Sequence, residues 1–272
     1  MDARRHEAPT ILAAWAALGS VAIRPMSAAE MAVTPPVFLE SWRDFMAGGN
    51  AGRLLLLVVV GTIGFQMQDV LLEPYGGQIL GLSVGATTWL TAANAIGALA
   101  GFILAGRWMG SGHDTFRMAA RGILVGIAAF SAVILAGLTG SITLFYMGAA
   151  AIGLGAGLFA VSTLSAAMAL PETGRAGRGL ALGAWGAAQA TAAGLSIAIG
   201  GALRDTVGSY AMAGGFGTAL ATPSFGYSFV YNVEILVLFI SLITLGPLVR
   251  TLPYNPKTIS SAAQPGIVEF PT

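Results

Sequence analysis

Three carboxylates and several amides of this sequence lie in or beside long apolar runs, where ionisable side chains are rare and costly. Asp69 lies inside one run, Glu73 follows it, and Glu234 lies inside another. Gln66, Asp69 and Glu73 are three and four residues apart, so a helix would place them on one face and direct Gln68 elsewhere. Ionisable groups in this setting are candidates for ion or ligand binding. The stretch from Gln66 to Glu73 is therefore the first candidate site.

Glu73 is followed by three residues that favour a break in the chain, namely Pro74, Gly76 and Gly77. The residue before a proline disfavours the helical conformation, and glycine permits a sharp turn, so we expect the first apolar helix to end there. A broken helix end that carries an acid often lines a transport or binding site. Three interpretations of Glu73 remain open: an ion pair with Arg204, a binding or gating role, or exposure to lipid headgroups.

Other polar residues within apolar runs are weaker candidates. Asn94 and Gln189 are expected to form hydrogen bonds between helices rather than to contact a ligand. Trp185 is expected to pack against neighbouring helices, although its ring could stack on a flat ligand. The chain has no cysteine, and His6 and His113 both lie in polar segments. It contains no Ser-His-Asp set, zinc-protease motif, phosphate loop or metal-ligand cluster. We therefore expect no enzyme, no catalytic residues and no metal site.

The elements that carry these residues follow from the composition. Of the 272 residues 56% are hydrophobic and only 9% are charged, with a mean hydropathy of +0.77, whereas a soluble domain has roughly 25% charged residues. A net charge of +1 offers no surface for nucleic acid. A membrane-spanning helix needs roughly 20 apolar residues. Six runs are long enough, at about 54–72, 86–106, 118–138, 142–169, 179–203 and 227–249. The prediction is an all-α membrane protein with six transmembrane helices.

The distribution of basic residues predicts the orientation. Twelve of the thirteen Lys and Arg residues lie in segments that fall on one side of the membrane, and only Arg204 lies on the other. Both termini are therefore expected to be cytoplasmic. A cleaved signal peptide near the N-terminus would invert this distribution, so we do not expect one. We predict a cytoplasmic leader at 1–53 with a short amphipathic helix at 37–46, a membrane domain at 54–250, and a mobile cytoplasmic tail at 251–272.

Glycine pairs recur at four-residue spacing inside the predicted spans. Small residues one turn apart let two helix backbones approach closely, which matters where lipid provides no hydrophobic drive for association. The spacing therefore predicts helix packing and not nucleotide binding, although GLGAG superficially resembles a nucleotide loop. The four pairs are Gly97–Gly101, Gly122–Gly126, Gly153–Gly157 and Gly179–Gly183.

Three stretches resemble one known family. Phe65–Leu82 reads FQMQDVLLEPYGGQILGL, Ala176–Ala193 reads AGRGLALGAWGAAQATAA, and the residues from Gly226 read GYSFVYNVEILVLF. All three are similar to stretches in the C-terminal half of the PucC/LhaA-type light-harvesting assembly proteins, and they follow one another in the same order as in that family. These proteins are the bacteriochlorophyll-delivery branch of the major facilitator superfamily. The motif positions are occupied by Gln68, Asp69, Glu73, Pro74, Gly183, Trp185, Gln189 and Glu234.

The resemblance implies half of a major-facilitator fold in the bacterial inner (intracytoplasmic) membrane. It implies an assembly factor for photosynthetic light-harvesting complexes that binds or delivers bacteriochlorophyll. The partners would be antenna polypeptides or a reaction-centre complex, membrane lipid, and a second half-chain or a homodimer, because the family has twelve spans. A structural subunit of a reaction-centre and antenna supercomplex, and half of a secondary transporter, are the alternatives. The chain would be a fragment, a truncated paralogue or half of a two-chain assembly.

No histidine lies inside a predicted span. If pigment binds, its magnesium must therefore take an oxygen ligand, which suits this ion. The expected donors are Gln66, Asp69 or Glu73, with Asn94 and Gln189 as weaker candidates. The alternative is that these groups only bond to neighbouring helices.

Overall fold

The computed structural model of the chain describes residues 38–47, 49–170 and 178–251. Within these residues every regular element is helical, and six helices are long and apolar enough to cross a membrane. The prediction of an all-α protein with six membrane-spanning helices is therefore confirmed, whereas half of a major-facilitator fold stays a prediction. Residues 1–37 of the predicted leader and residues 252–272 of the predicted tail lie outside the described residues, and the cytoplasmic position of the termini stays a prediction.

The helices follow one another in a simple order. A short helix α1 precedes the first span, which is α2 extended by a 3-10 turn at Met67–Val70, and a short helix α3 follows it. The other five spans are α4 to α8. The bounds are α1 Phe38–Ala47, α2 Asn50–Gln66, α3 Leu72–Ile79, α4 Val84–Gly110, α5 Thr115–Thr139, α6 Ile142–Met168, α7 Arg178–Met212 and α8 Pro223–Thr251. Helix α7 runs nine residues past the predicted end of its span, to Met212, and thus includes Arg204 and Asp205.

Helix α1 lies where the short amphipathic helix was predicted. Its Phe45 is buried against Ala51 of α2 and against Ala181 and Ala184 of α7, while Leu39 remains exposed. One face of α1 therefore packs on the helical bundle, as an amphipathic pattern requires.

Glycines bring α6 against both α4 and α5. A methyl group added to Gly97 of α4 would lie 1.9 Å from the carbonyl oxygen of Ala150, and one added to Gly153 of α6 would lie 2.0 Å from that of Asn94. A methyl group added to Gly122 of α5 would lie 2.7 Å from the carbonyl oxygen of Gly155 on α6. These helices approach backbone to backbone, as the glycine spacing predicts.

The fourth glycine pair behaves differently. Around Gly179 and Gly183 of α7 an added methyl group would meet nothing within 4 Å. The prediction that this pair packs against another helix is therefore wrong for the described residues of this chain, because this part of α7 presents its glycines to open space.

The core beside the first span is aromatic. Tyr75 of α3 is buried, and its ring lies 5.4 Å from that of Tyr231 and 5.3 Å from that of Tyr227, both on α8. It also lies 5.5 Å from the ring of Phe145 on α6. This packing anchors the short helix α3 in the bundle and thereby holds the break that precedes it.

Candidate functional site

The first span ends in an irregular segment that a second helix supports. Helix α2 stops at Gln66, and Met67–Val70 form a tighter 3-10 turn before α3 begins at Leu72. The backbone N–H of Gln68 donates a hydrogen bond of 2.7 Å to Oε1 of Glu234 on α8. Glu234 is fully buried. Because an unpaired backbone group inside a membrane is costly, Glu234 supplies the acceptor that lets the helix change its geometry here.

The break is thus earlier than predicted. Pro74, Gly76 and Gly77 lie inside α3, and the chain turns only at Gly81, whose φ is +67°. Pro74 is tolerated because it lies in the first turn of α3, where a backbone N–H has no partner within the helix. The interpretation of Glu73 as the end of the first helix is wrong, since Glu73 lies in the first turn of the next one, α3.

A polar cleft of about 270 Å³ opens between this segment and α4. The Nε2 group of Gln68 donates a hydrogen bond to Oδ1 of Asp69, and the hydroxyl of Thr91 donates one to Oε1 of Glu73. Asn94 lies one turn beyond Thr91 and lines the same cleft. An ionised carboxylate has about four acceptor positions, so each acid retains capacity to accept from, or coordinate to, a ligand.

Two expectations about this stretch change. Gln68 was expected to point away from the other polar residues, but it is buried and lines the cleft together with Asp69 and Glu73, whereas Gln66 is not among the lining residues. The 3-10 turn rotates side chains by about 120° per residue instead of the 100° of an α-helix, and this difference regroups them.

The ion pair between Glu73 and Arg204, one of the three interpretations of Glu73, does not form. Arg204 donates to Asp205 at 2.6 Å, to Oε1 of Gln78 at 2.9 Å and to the Tyr227 hydroxyl at 2.8 Å. Its guanidinium also lies 4.4 Å from the centre of the Tyr227 ring. These partners satisfy the arginine within α7, α3 and α8, while Glu73 faces α4.

The remaining candidates lie away from the cleft lining. The indole N–H of Trp185 donates to the Thr163 hydroxyl at 3.2 Å, so this ring bonds to α6. Gln189 lies one turn further along α7 and is half-buried. Glu234 is not among the residues that line the cleft, but it accepts a hydrogen bond from the backbone N–H of Gln68, which is. One oxygen of Glu234 and the side-chain oxygen of Gln68 are buried without a partner among the described residues.

Sequence reasoning missed several residues that complete these networks. Thr91 is a cleft residue, and its spacing of three from Asn94 on one predicted helix was the available signal. No sequence signal indicated that Gln78 and Tyr227 would bind Arg204, because that network joins three separate helices. Chemically, the cleft offers carboxylate and amide oxygens, which suit a hard cation or a metal already held by a larger ligand.

The comparison with known proteins agrees with the resemblance of the three stretches. The model of the PUCC protein family matches residues 8–252. The chain is 53% identical over 251 residues to the "Uncharacterized protein in puhA-bchM intergenic region" of Rhodobacter capsulatus, a match that covers 92% of this chain and 52% of that protein. No solved structure matches.

Two further relatives carry more informative names. Protein PucC of Cereibacter sphaeroides is 42% identical over 216 residues, which is 79% of this chain and 46% of that protein. The "Bacteriochlorophyll synthase 44.5 kDa chain" of Rhodobacter capsulatus is 33% identical over 191 residues, 63% of this chain and 41% of that protein. The chain spans about half the length of the curated relatives it matches. It is a multi-pass membrane protein and belongs to the PUCC protein family.

Proposed function

We propose that this protein assists the assembly of bacterial light-harvesting complexes in the photosynthetic membrane and binds bacteriochlorophyll without catalysing a reaction on it. Membership of the PUCC family supports the photosynthetic role. The name of the relative called a bacteriochlorophyll synthase chain supports the pigment. The observation that carries the proposal is the open cleft at the break of the first span, where oxygen donors gather beside an apolar helix face.

The donor set of the cleft fits the metal of such a pigment. Magnesium prefers carboxylate, carbonyl and water oxygens, and Asp69, Glu73 and Asn94 line the cleft with these chemical groups. When bound, bacteriochlorophyll supplies a flat apolar ring system with one magnesium ion. An oxygen ligand from this chain would hold and orient that ion, and a single contact of this kind suits a carrier that must release its load.

The size of the cleft limits what enters it. A volume of about 270 Å³ lies below the roughly 300–1,000 Å³ of pockets that enclose drug-sized ligands. The ring system would therefore lie largely outside, against α4. Leu99 and Phe102 continue the helix face that carries Thr91 and Ala95, and they are 58% and 44% exposed. This stripe offers an apolar surface beside the oxygen donors.

The exposed glycines of α7 support a membrane partner for this chain. The glycines at 179, 183, 186 and 194 all face open space, whereas Gly97 of α4, Gly122 of α5 and Gly153 of α6 lie at close helix crossings. We propose that antenna polypeptides, a second half-chain or a second copy of this chain packs against α7.

The test is the pigment content of the purified protein. The chain is produced in a pigment-making photosynthetic bacterium and purified in mild detergent, and the absorbance spectrum and copurifying polypeptides are recorded. We expect pigment and antenna polypeptides with the wild type. Asp69→Ala should lower the pigment per folded molecule by about tenfold, the effect of losing one contact worth about 1.4 kcal/mol. Glu73→Gln, which can still accept from Thr91, isolates the effect of charge.

Asp205→Ala is the matched control, because it removes an exposed carboxylate that lies outside the cleft. It should leave the pigment content unchanged. Lower thermal stability with unchanged pigment in Asp69→Ala would assign the cleft to helix packing. A wild-type protein that carries antenna polypeptides but never pigment would exclude the pigment role and leave the assembly role standing.

A further inference from the structure

A second cavity, of about 420 Å³, lies where the end of α4, the start of α5 and the end of α8 meet. It is at the opposite end of α4 from the polar cleft. Its lining includes Arg117, Arg121, His113 and Asp114, with Val249 of α8 as an apolar wall. The cavity therefore lies at the level where membrane spans emerge from the lipid.

The charge in this cavity is positive and unbalanced. Arg117 and Arg121 are exposed, are one helical turn apart, and form no ion pair among the described residues. The carboxylate of Asp114 accepts a hydrogen bond of 2.8 Å from the backbone N–H of Arg117 and thus caps α5. One carboxylate faces two guanidinium groups, so a net positive charge remains for an anion.

Aromatic packing holds one of the two arginines in place. The guanidinium of Arg121 lies 5.5 Å from the centre of the Trp108 ring, and its Nη1 donates to the sulfur of Met118 at 3.5 Å. The ring of His113 lies 6.5 Å from that of Trp108. Tryptophan is enriched at the boundary between headgroups and acyl chains, and arginine binds phosphate through two parallel hydrogen bonds.

An apolar stripe continues from the two arginines into the membrane. Leu124, Ala128 and Leu135 follow Arg117 and Arg121 at spacings of three, four and seven residues, so they share one face of α5. Leu124 and Leu135 are 54% and 51% exposed, and Ala128 is exposed as well. One helix face thus presents cations at its end and an apolar surface along its length.

We propose that this cavity binds the phosphate of an anionic phospholipid, whose acyl chains lie along the α5 stripe of Leu124, Ala128 and Leu135. Two arginines at a membrane boundary recognise the negative headgroup, and the stripe distinguishes a lipid from free phosphate. A zwitterionic lipid carries a cation beside its phosphate, which the arginines repel. The site is separate from the cleft of Asp69 and Glu73 and does not depend on the pigment proposal.

The probe is phosphatidylglycerol, titrated into the purified 272-residue chain in mild detergent, with phosphatidylcholine and inorganic phosphate in parallel. Retained lipid is counted by native mass spectrometry, and thermal stability is followed. We expect retention and stabilisation with phosphatidylglycerol only. The double variant Arg117→Gln/Arg121→Gln should lower its affinity roughly 25-fold, since each arginine near a membrane surface contributes about a fivefold factor.

Arg107→Gln is the matched control, because Arg107 is exposed in the last turn of α4 but does not line the cavity. It should retain the lipid. An equal loss of phosphatidylglycerol affinity in the control and the double variant would attribute binding to general surface charge and overturn the proposal. Stabilisation by inorganic phosphate equal to that by phosphatidylglycerol would overturn it in favour of a free-anion site. Unchanged phosphatidylglycerol affinity in the double variant would also overturn it.

Discussion

Glu234→Ala is expected to lower the free energy of unfolding by about 3 kcal/mol, because it leaves a buried backbone N–H unsatisfied and opens a cavity at the same point. The Oε1 atom of Glu234 accepts from the Gln68 N–H at 2.7 Å, and the side chain is fully buried in α8. Glu234→Gln keeps a carbonyl oxygen of the same reach, so it should cost less than about 1 kcal/mol.

Stability is measured by denaturant titration of the purified protein in mild detergent, followed by circular dichroism. Asn232→Ala is the matched control on the same helix, because Asn232 is exposed and, among the described residues, its side chain donates only to the Ser228 carbonyl of its own helix. It should change little. If glutamine were as damaging as alanine at 234, the negative charge and not the acceptor oxygen would support the break.

Gly97→Ala is expected to lower the free energy of unfolding by about 3 kcal/mol, the upper end of the usual cost of overpacking. The added methyl carbon would lie 1.9 Å from the Ala150 carbonyl oxygen. Because that atom belongs to a helix backbone, α4 and α6 must move apart to relieve the clash. The methyl carbon added by Gly153→Ala would lie 2.0 Å from the Asn94 carbonyl oxygen. This variant should lower the free energy of unfolding by a similar amount, because it disturbs the same helix crossing.

Gly183→Ala provides the control, since nothing lies within 4 Å of its added methyl group. Alanine forms helix better than glycine by up to about 1 kcal/mol, so this variant should be as stable as the wild type or more stable. Thermal unfolding in detergent compares the three variants. Equal behaviour of Gly97→Ala and Gly183→Ala would contradict the close crossing of α4 and α6.

The glycine pattern also shows how far spacing alone could predict contacts. Pairs at 97–101 and 153–157 were predicted to pack, and they do, against each other's helices. The pair at 179–183 has the same spacing and faces open space. Spacing identifies a helix face that could admit a close neighbour, but it contains no information about whether another helix of the same chain occupies that face.

The polar candidates also divide into features that the sequence could predict and features that depended on tertiary contacts. Asp69, Glu73 and Asn94 were identified because polar groups in apolar runs are visible residue by residue, and all three line the cleft. The grouping of Gln68 with them was not predicted, because it depends on a 3-10 turn that Glu234 supports from α8, 166 residues away in sequence. The partners of Arg204 were missed for the same reason.

By itself the sequence determined that this protein is a bundle of six membrane-spanning helices, because hydropathy and run length are local properties that the thickness of the bilayer selects directly. It also determined which polar residues lie within those helices. Only the tertiary structure decided where the first span breaks, which polar groups meet in the cleft, and which glycines carry helix crossings. These features depend on contacts between residues that are distant in sequence, and such contacts form only when the helices pack together.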